Sequence, residues 1–249
     1  MKQIPSLLGI LGGLGPMSTF YFCELLTAHT AATTDADHID MIISSHASTP
    51  DRTAFILGKS HNDPLPVMVK EAKRLEHAGA DLIVIPCNTA HYFYDGLRAN
   101  IHTPMLNIIE ETVKLLKQMN IHTFGLLATD GTVRAGAYKQ ICEPYGLECL
   151  VPSSEEQGVV SSIIYNCIKQ NRPVDMQAFD GVVRSLRARG CEKLVLGCTE
   201  LSLLKKNGLD EELFVDSLEV LAYRTIVTCG KTPTGFPPEF THLKHEDKP

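Results

Sequence analysis

The chain has 249 residues, 44% of them hydrophobic, and a formal net charge of −6 at pH 7. That length permits one large domain or two small lobes with a substantial core, and the lack of any Lys/Arg cluster excludes nucleic acid and anionic membranes as partners. Eight cysteines with no C-x-x-C pair suit a reducing compartment, and no stretch approaches the ~20 apolar residues that cross a bilayer, so a soluble, cytoplasmic protein handling a small molecule is expected.

Along the chain, the start through Gly13 superficially imitates a signal peptide. Its apolar run is short and glycine-interrupted, with no small-residue cleavage site, so it reads as a buried strand. Short β-branched or leucine-rich runs predict strands at 7–11, 41–44, 82–85, 105–108, 123–127, 148–151, 193–196 and 213–215. Between them, 66–75 and 179–186 carry apolar residues at helical spacing, each followed by a glycine, Gly79 or Gly190, as at helix C-termini. Strands alternating with helices predict an α/β fold built on parallel sheets.

Much of this pattern occurs twice. Ile83-Val84-Ile85-Pro86-Cys87-Asn88-Thr89 answers to Leu194-Val195-Leu196-Gly197-Cys198-Thr199-Glu200 at an offset of 111 residues (198 − 87), and the preceding flanks, ending at Asp81 and Glu192, keep that offset. Gly9 to Gly15 answers to Gly125 to Gly131 at 116 (125 − 9), and Pro104 to Asn107 answers loosely to Leu213 to Asp216. Two related lobes are therefore expected. The last strand-helix pair resembles the end of the first half and is expected to return to it, giving 1–102 plus 213–230 as one lobe and 103–212 as the other. The proline-punctuated segment 231–249 reads as a tail with little core of its own.

In a parallel sheet the ligand sits at the carboxyl ends of the strands. Cys87 and Cys198 both fall there, just before an expected helix whose N-terminus would favour a thiolate and lower the cysteine pKa. Asn88, Thr89 and Thr199 can cap those helices and donate to a bound anion. A single cysteine at a strand end is ordinarily packing, whereas a matched pair, each followed by a polar residue, points to a reaction that needs two thiols. Inversion of a stereocentre, with one acid/base group on each face of a carbon, is such a reaction. The remaining cysteines (Cys23, Cys142, Cys149, Cys167, Cys191, Cys229) have no counterpart and are assigned to packing.

Taken together and in this order, Gly12-Gly13-Leu14-Gly15-Pro16-Met17-Ser18-Thr19, Pro86-Cys87-Asn88-Thr89-Ala90-His91 and Gly197-Cys198-Thr199-Glu200-Leu201 resemble the aspartate/glutamate racemase family, closest to its aspartate racemase branch, over about residues 7–229. The resemblance implies an α/β fold of two pseudo-symmetric lobes, each a parallel sheet flanked by helices, with the active site in the cleft between them, and a homodimer. It implies cofactor-independent interconversion of L- and D-aspartate, or glutamate, by Cys87 and Cys198, with Cys87 facing the D-enantiomer's proton and Cys198 the L-enantiomer's. It also places Arg52 and Lys169 where the substrate's side-chain carboxylate is received. Decarboxylation or cis-trans isomerisation of a dicarboxylic acid, and silent amino-acid binding, are the competing readings.

Without a cofactor the carbanion formed at the α-carbon is poorly stabilised, so donors must hold the carboxylate as charge moves onto it. The backbone N–H groups of Gly13 and Gly15 and the side chains of Asn88, Thr89, Thr129 and Thr199 are the candidates, and one thiolate opposite one thiol is the expected working state. His91 and Glu200 either tune the neighbouring thiols or occupy a first helical turn. The histidines show no metal-ligand spacing on a credible helix, so no metal is expected. Gly13-Leu14-Gly15 lacks the third glycine and the later acidic residue of a dinucleotide site, so nucleotide binding is rejected.

Overall fold

The computed structural model describes residues 4–210 and 212–243. In chain order the first half comprises β1 (Leu7–Gly12), α1 (Pro16–Ala28), β2 (Asp40–Ser45), α2 (Arg52–Ile56), α3 (Leu65–His77), β3 (Leu82–Val84), α4 (Tyr94–Arg98) and α5 (Ile108–Gln118). The second comprises β4 (Thr123–Leu127), α6 (Asp130–Ala135), α7 (Ala137–Cys142), β5 (Glu148–Leu150), α8 (Ser154–Ser162), α9 (Met176–Ala188), β6 (Lys193–Leu196), β7 (Phe214–Asp216) and α10 (Ser217–Thr228). The strands form two sheets, ordered β2-β1-β3 and β5-β4-β6-β7, with every pairing parallel. The expected strand at 105–108 is reduced to a parallel bridge between Met105 and Ile83, after which Asn107 caps α5. That bridge occupies in the first sheet the place of β7 in the second, so the duplication extends to strand order.

Period-2 alternation sorts the strand side chains between two layers. Leu8, Ile10, Leu82 and Val84 of the first sheet, with Phe124, Leu126, Val195 and Val215 of the second, enter one common core together with the apolar faces of α1, α5, α7 and α10. The opposite faces build separate cores: Ile83 and Ile85 against Met68, Ala72 and Leu75 of α3, and Leu194, Leu196 and Phe214 against Phe179, Val182 and Leu186 of α9. Helices α3 and α9 end alike, running into Gly79 and Gly190 at φ +92° and +93°, a left-handed conformation that a side chain would strain.

One expectation about the lobes is corrected. The strand at 214–216 does not return to the first sheet: Leu194, Val195 and Leu196 of β6 pair with Phe214, Val215 and Asp216, because the backbone edge of β6 needs a ladder partner beside it. What crosses is the helix that follows. α10 packs against α1 of the first half, and reciprocally α5 packs against α7 of the second, while α5 and α10 lie on each other. Limits at 102/103 and 212/213 therefore leave α5 with α7 and α10 with α1, as they pack, but part Met105 from β3 and β7 from β6.

The segment after residue 230 is also less of a tail than expected. Phe240 and Leu243 are buried in the common core, Phe236 and Phe240 pack on Tyr223, and Thr30 bridges to Pro233. Aromatic surface in a proline-rich stretch finds cover where α1 and α10 meet; residues 244–249 of that expectation lie outside the described residues. Among the described residues no helix is long and apolar enough to cross a membrane.

Phe124 has no solvent exposure, whereas Phe20 on α1 is 55% exposed. Phe124→Ala should lower the unfolding free energy by ~3–5 kcal/mol, and Phe20→Ala should change it by no more than ~0.5 kcal/mol, as read by chemical denaturation.

Candidate active site

Cys87 follows β3 and Cys198 follows β6, and both line one cavity between the two halves. The first half supplies Leu14, Asp51, Arg52, Thr53, Asn88 and Thr89 to its wall; the second supplies Thr129, Tyr165, Lys169, Thr199 and Glu200. The segments after the cysteines are 3₁₀ turns, Thr89–Phe93 and Leu201–Asn207, not regular α-helices, and neither Asn88 nor Glu200 makes a side-chain cap. The expected lowering of the thiol pKa is accordingly not what the site produces. Burial pushes both thiols up. Against burial, Arg52 draws the Cys87 thiol down while Glu200 raises it, and Glu200 adds to the rise at Cys198, which stands well above the ordinary thiol value.

Arg52 begins α2 behind the N-cap Asp51, whose carboxylate accepts from the N–H of Ala54. The guanidinium is buried and held by carbonyls: Nη1 donates to Thr49 and Pro50, and Nη2 donates to Leu14 at 3.1 Å. Its Nε–H is buried without an acceptor, and among the described residues no carboxylate pairs with it. A buried cation lacking a counter-ion is a costly arrangement that an anionic ligand would complete.

Lys169 reaches the same cavity from the second half. It lies in the 3₁₀ turn Ile168–Gln170, directly after a π-helical turn, Ile163–Cys167, that presents Tyr165. Its Nζ contacts Glu200 Oε1 at 2.6 Å and lies 5.5 Å from the centre of the Tyr165 ring. Burial alone would lower the ammonium pKa, but Glu200 outweighs it and the net direction is upward, so Lys169 stays charged. Glu200 also accepts the Cys198 thiol hydrogen at Oε2, 3.0 Å away.

The other expected residues divide into those that face the cavity and those that hold its walls together. Thr89 Oγ1 lies 2.9 Å from both Thr129 Oγ1 and Thr132 Oγ1, a hydroxyl triangle spanning the two halves, and Thr129 caps α6 by accepting from the N–H of Thr132. Asn88 Nδ2 donates to Ser217 Oγ and its Oδ1 accepts from the Tyr138 hydroxyl, so this side chain ties the halves together. Thr199 Oγ1 donates to the carbonyl of Pro86, before the opposite cysteine.

Gly13 and Gly15 do not line the cavity as expected. The Gly13 N–H is taken by Thr19 Oγ1 at 2.9 Å, and the Gly15 carbonyl accepts from Thr19. Their requirement is steric: a Cβ on Gly13, at φ +82°, would meet the backbone of His46 at 2.5 Å, and one on Gly15 would lie 2.7 Å from Glu200 Oε1. Leu14 between them is the member that reaches the cavity.

His91 is fully enclosed. Its Nδ1 bonds the Cys87 carbonyl at 2.9 Å and its Nε2 accepts from the N–H of Ile108 at 3.2 Å, which fixes the neutral Nδ1–H tautomer. Burial holds its pKa down to about 4. His91 therefore clamps the Cys87 turn to the start of α5 and does not touch the thiol.

Residues that sequence reasoning missed had faint local signals. Thr132 sits three after Thr129, a capping spacing, and Tyr165 four before Lys169, one helical turn. Tyr138 and Ser217 carry no local sign, because their partner Asn88 is distant in the chain. Among the described residues no group of His, Cys, Asp or Glu could hold a metal ion.

Residues 11–225 match the Asp/Glu/hydantoin racemase family. The chain is 28% identical over 229 residues to a broad-specificity amino-acid racemase of Bacillus subtilis, covering 89% of this chain and 97% of that one. Among solved structures it is similar to the aspartate racemase of Picrophilus torridus, with TM-score 0.82 and 28% identity over 95% of this chain and 98% of the other. It is also similar to an aspartate racemase homologue from Pyrococcus horikoshii, with TM-score 0.73 and 26% identity over 90% and 99%.

The neutral clamp at His91 has a pH signature. The unfolded imidazole binds a proton near pH 6.5 and the buried one only near 4, so its stabilising contribution is complete above about pH 6.5 and is lost as the pH falls toward 4. The difference amounts to roughly 3 kcal/mol. His91→Gln should therefore unfold more readily at neutral pH, yet lose less stability than the wild type between pH 6.5 and 4, in denaturant titrations at each pH.

Proposed function

Because the chain belongs to the Asp/Glu/hydantoin racemase family, we propose that it interconverts L- and D-aspartate without a cofactor, using Cys87 and Cys198 as alternating base and acid. The observation that carries this reading is that two cysteines from equivalent positions of two similar halves line one cavity, beside a buried guanidinium with no counter-ion among the described residues. The Picrophilus relative, named as an aspartate racemase, supports the choice of substrate.

In this reading the substrate enters as an anion. The side-chain carboxylate is received between Arg52, where a planar fork suits bidentate contact, and Lys169. In the same reading the hydroxyls of Thr89 and Thr129 and the second Nδ2 hydrogen of Asn88, which line the cavity, hold the α-carboxylate as negative charge moves onto it. A thiolate on one face removes the α-proton, breaking the C–H bond and forming an S–H bond, while the opposite thiol gives its proton to the other face of the carbon. The pair then stands ready for the reverse reaction. Burial raises both thiols, so the ionised member must be paired with positive charge or exist only once the ligand has arrived. The homodimeric, cytoplasmic form belongs to the same proposal.

Either enantiomer of aspartate incubated in D2O should acquire α-deuterium, and Cys87→Ala and Cys198→Ala should each lose at least ~10²-fold to ~10⁴-fold of the racemisation rate, the range that a positioned acid/base group contributes. Full activity in both single variants would overturn the assignment. Release of carbon dioxide or formation of fumarate without α-exchange would point to the decarboxylase or isomerase reading instead.

A further inference from the structure

Glu200 stands two residues after Cys198, where the first half has Thr89 after Cys87. Its side chain is 7% exposed, and its two oxygens are engaged differently: Oε2 with the thiol hydrogen of Cys198 at 3.0 Å, Oε1 with Lys169 Nζ at 2.6 Å. The missing side chain at Gly15 leaves the space that this carboxylate fills. We propose that Glu200 takes the proton of Cys198, and that the step is triggered when the side-chain carboxylate of a dicarboxylic ligand draws Lys169 away from it.

The argument is one of competition for a single cation. While Lys169 Nζ holds Oε1 at 2.6 Å, Glu200 stays in its ion pair and the thiol hydrogen at Oε2 stays on Cys198. A second carboxylate in the cavity shares Lys169, leaving Glu200 an under-compensated charge in a buried place, where protonation is favoured. The nearest proton is the one already pointing at Oε2. The S–H bond of Cys198 breaks with its electron pair left on sulfur, an O–H bond forms on Glu200, and no proton enters or leaves the cavity. Burial and Glu200 push the Cys198 thiol up and Lys169 draws it down, but Lys169 bears more strongly on Glu200, 2.6 Å away, so its withdrawal costs the carboxylate more than the thiolate. Among the described residues Cys87 has no such partner: the charged groups acting on it are Arg52 and Lys169, which lower it, and Glu200, which raises it. One wall of the cavity thus stores its base on a carboxylate, and the other does not.

The ligand's identity rests on the racemase reading, whereas the proton transfer can be measured without any turnover. Succinate is a suitable probe, since it carries two carboxylates and no stereocentre. In the Cys87→Ser chain, saturating succinate should raise the ultraviolet thiolate absorbance toward that of a single thiolate per chain, and butyrate, with one carboxylate, should not. Glu200→Gln in the same background should abolish the succinate-dependent rise whatever its basal level, with succinate still bound by calorimetry, and Glu200→Asp should restore part of it. A rise undiminished in Glu200→Gln, or absent while calorimetry shows succinate bound, overturns the relay; failure of succinate to bind overturns the trigger with it. A Glu200-dependent rise in a protein that exchanges no α-proton of aspartate would leave the relay standing and sink the racemase reading alone.

Discussion

The constraint on which the molecule depends is that neither half buries its own inner face. Each sheet hands the helix following its last strand position to the other half: α5 lies on α7 and α10 on α1, with the two exchanged helices in contact. A single core results, in which Ile10 and Val84 share an apolar environment with Phe124 and Val215. With each such side chain contributing on the order of 1.5–3 kcal/mol on burial, separating the halves would cost far more than a domain's net stability. The carboxyl ends of β3 and β6 are consequently held against a common cavity by the core itself.

Burial then dictates the electrostatics. Cys87 and Cys198 are 6% and 4% exposed, and in such a place an isolated thiolate is disfavoured, which is why both thiols are pushed up and not down. The charges that do persist are bound to fixed partners. Three carbonyls hold Arg52, Glu200 holds Lys169, and the cross-half bonds of Asn88 and the threonine triangle keep the walls in register. Under the proposed reaction, a cavity so arranged is already oriented for the anionic substrate before it binds, so little reorganisation accompanies the movement of charge onto it.

The parts legible in the sequence were those governed by local pattern or by repetition. The strands, the terminal glycines of α3 and α9 and the pairing of Cys87 with Cys198 follow from alternation, helical spacing and a constant offset. So does the correspondence between Met105 and β7, since the same stretches answer to each other in sequence. What could not be read there was the partner of each polar group. A glycine motif looks like a row of N–H donors until Thr19 is seen to occupy one, and Asn88 looks like a helix cap until Tyr138 and Ser217 are found on either side of it. The misplacement of the last strand has a related origin. Similarity between the ends of the two halves is equally compatible with a strand that returns or a helix that crosses, and only the ladder between β6 and β7 distinguishes them.

A duplicated scaffold explains why two thiols line one cavity, but it cannot by itself make them behave alike. The offset that equates Cys87 with Cys198 also equates Thr89 with Glu200, and here the halves diverge. Thr89 sets its hydroxyl beside those of Thr129 and Thr132, all neutral groups, whereas Glu200 places a carboxylate between a thiol and an ammonium. The geometry around the two sulfurs is related by the repeat while the charge around them is not. For a reaction whose two directions differ only in which face loses the proton, this asymmetry cannot alter the equilibrium between mirror-image products. It can decide how the barrier is divided between binding and proton transfer on each side, so kcat and KM are free to differ between enantiomers while their ratio is held equal.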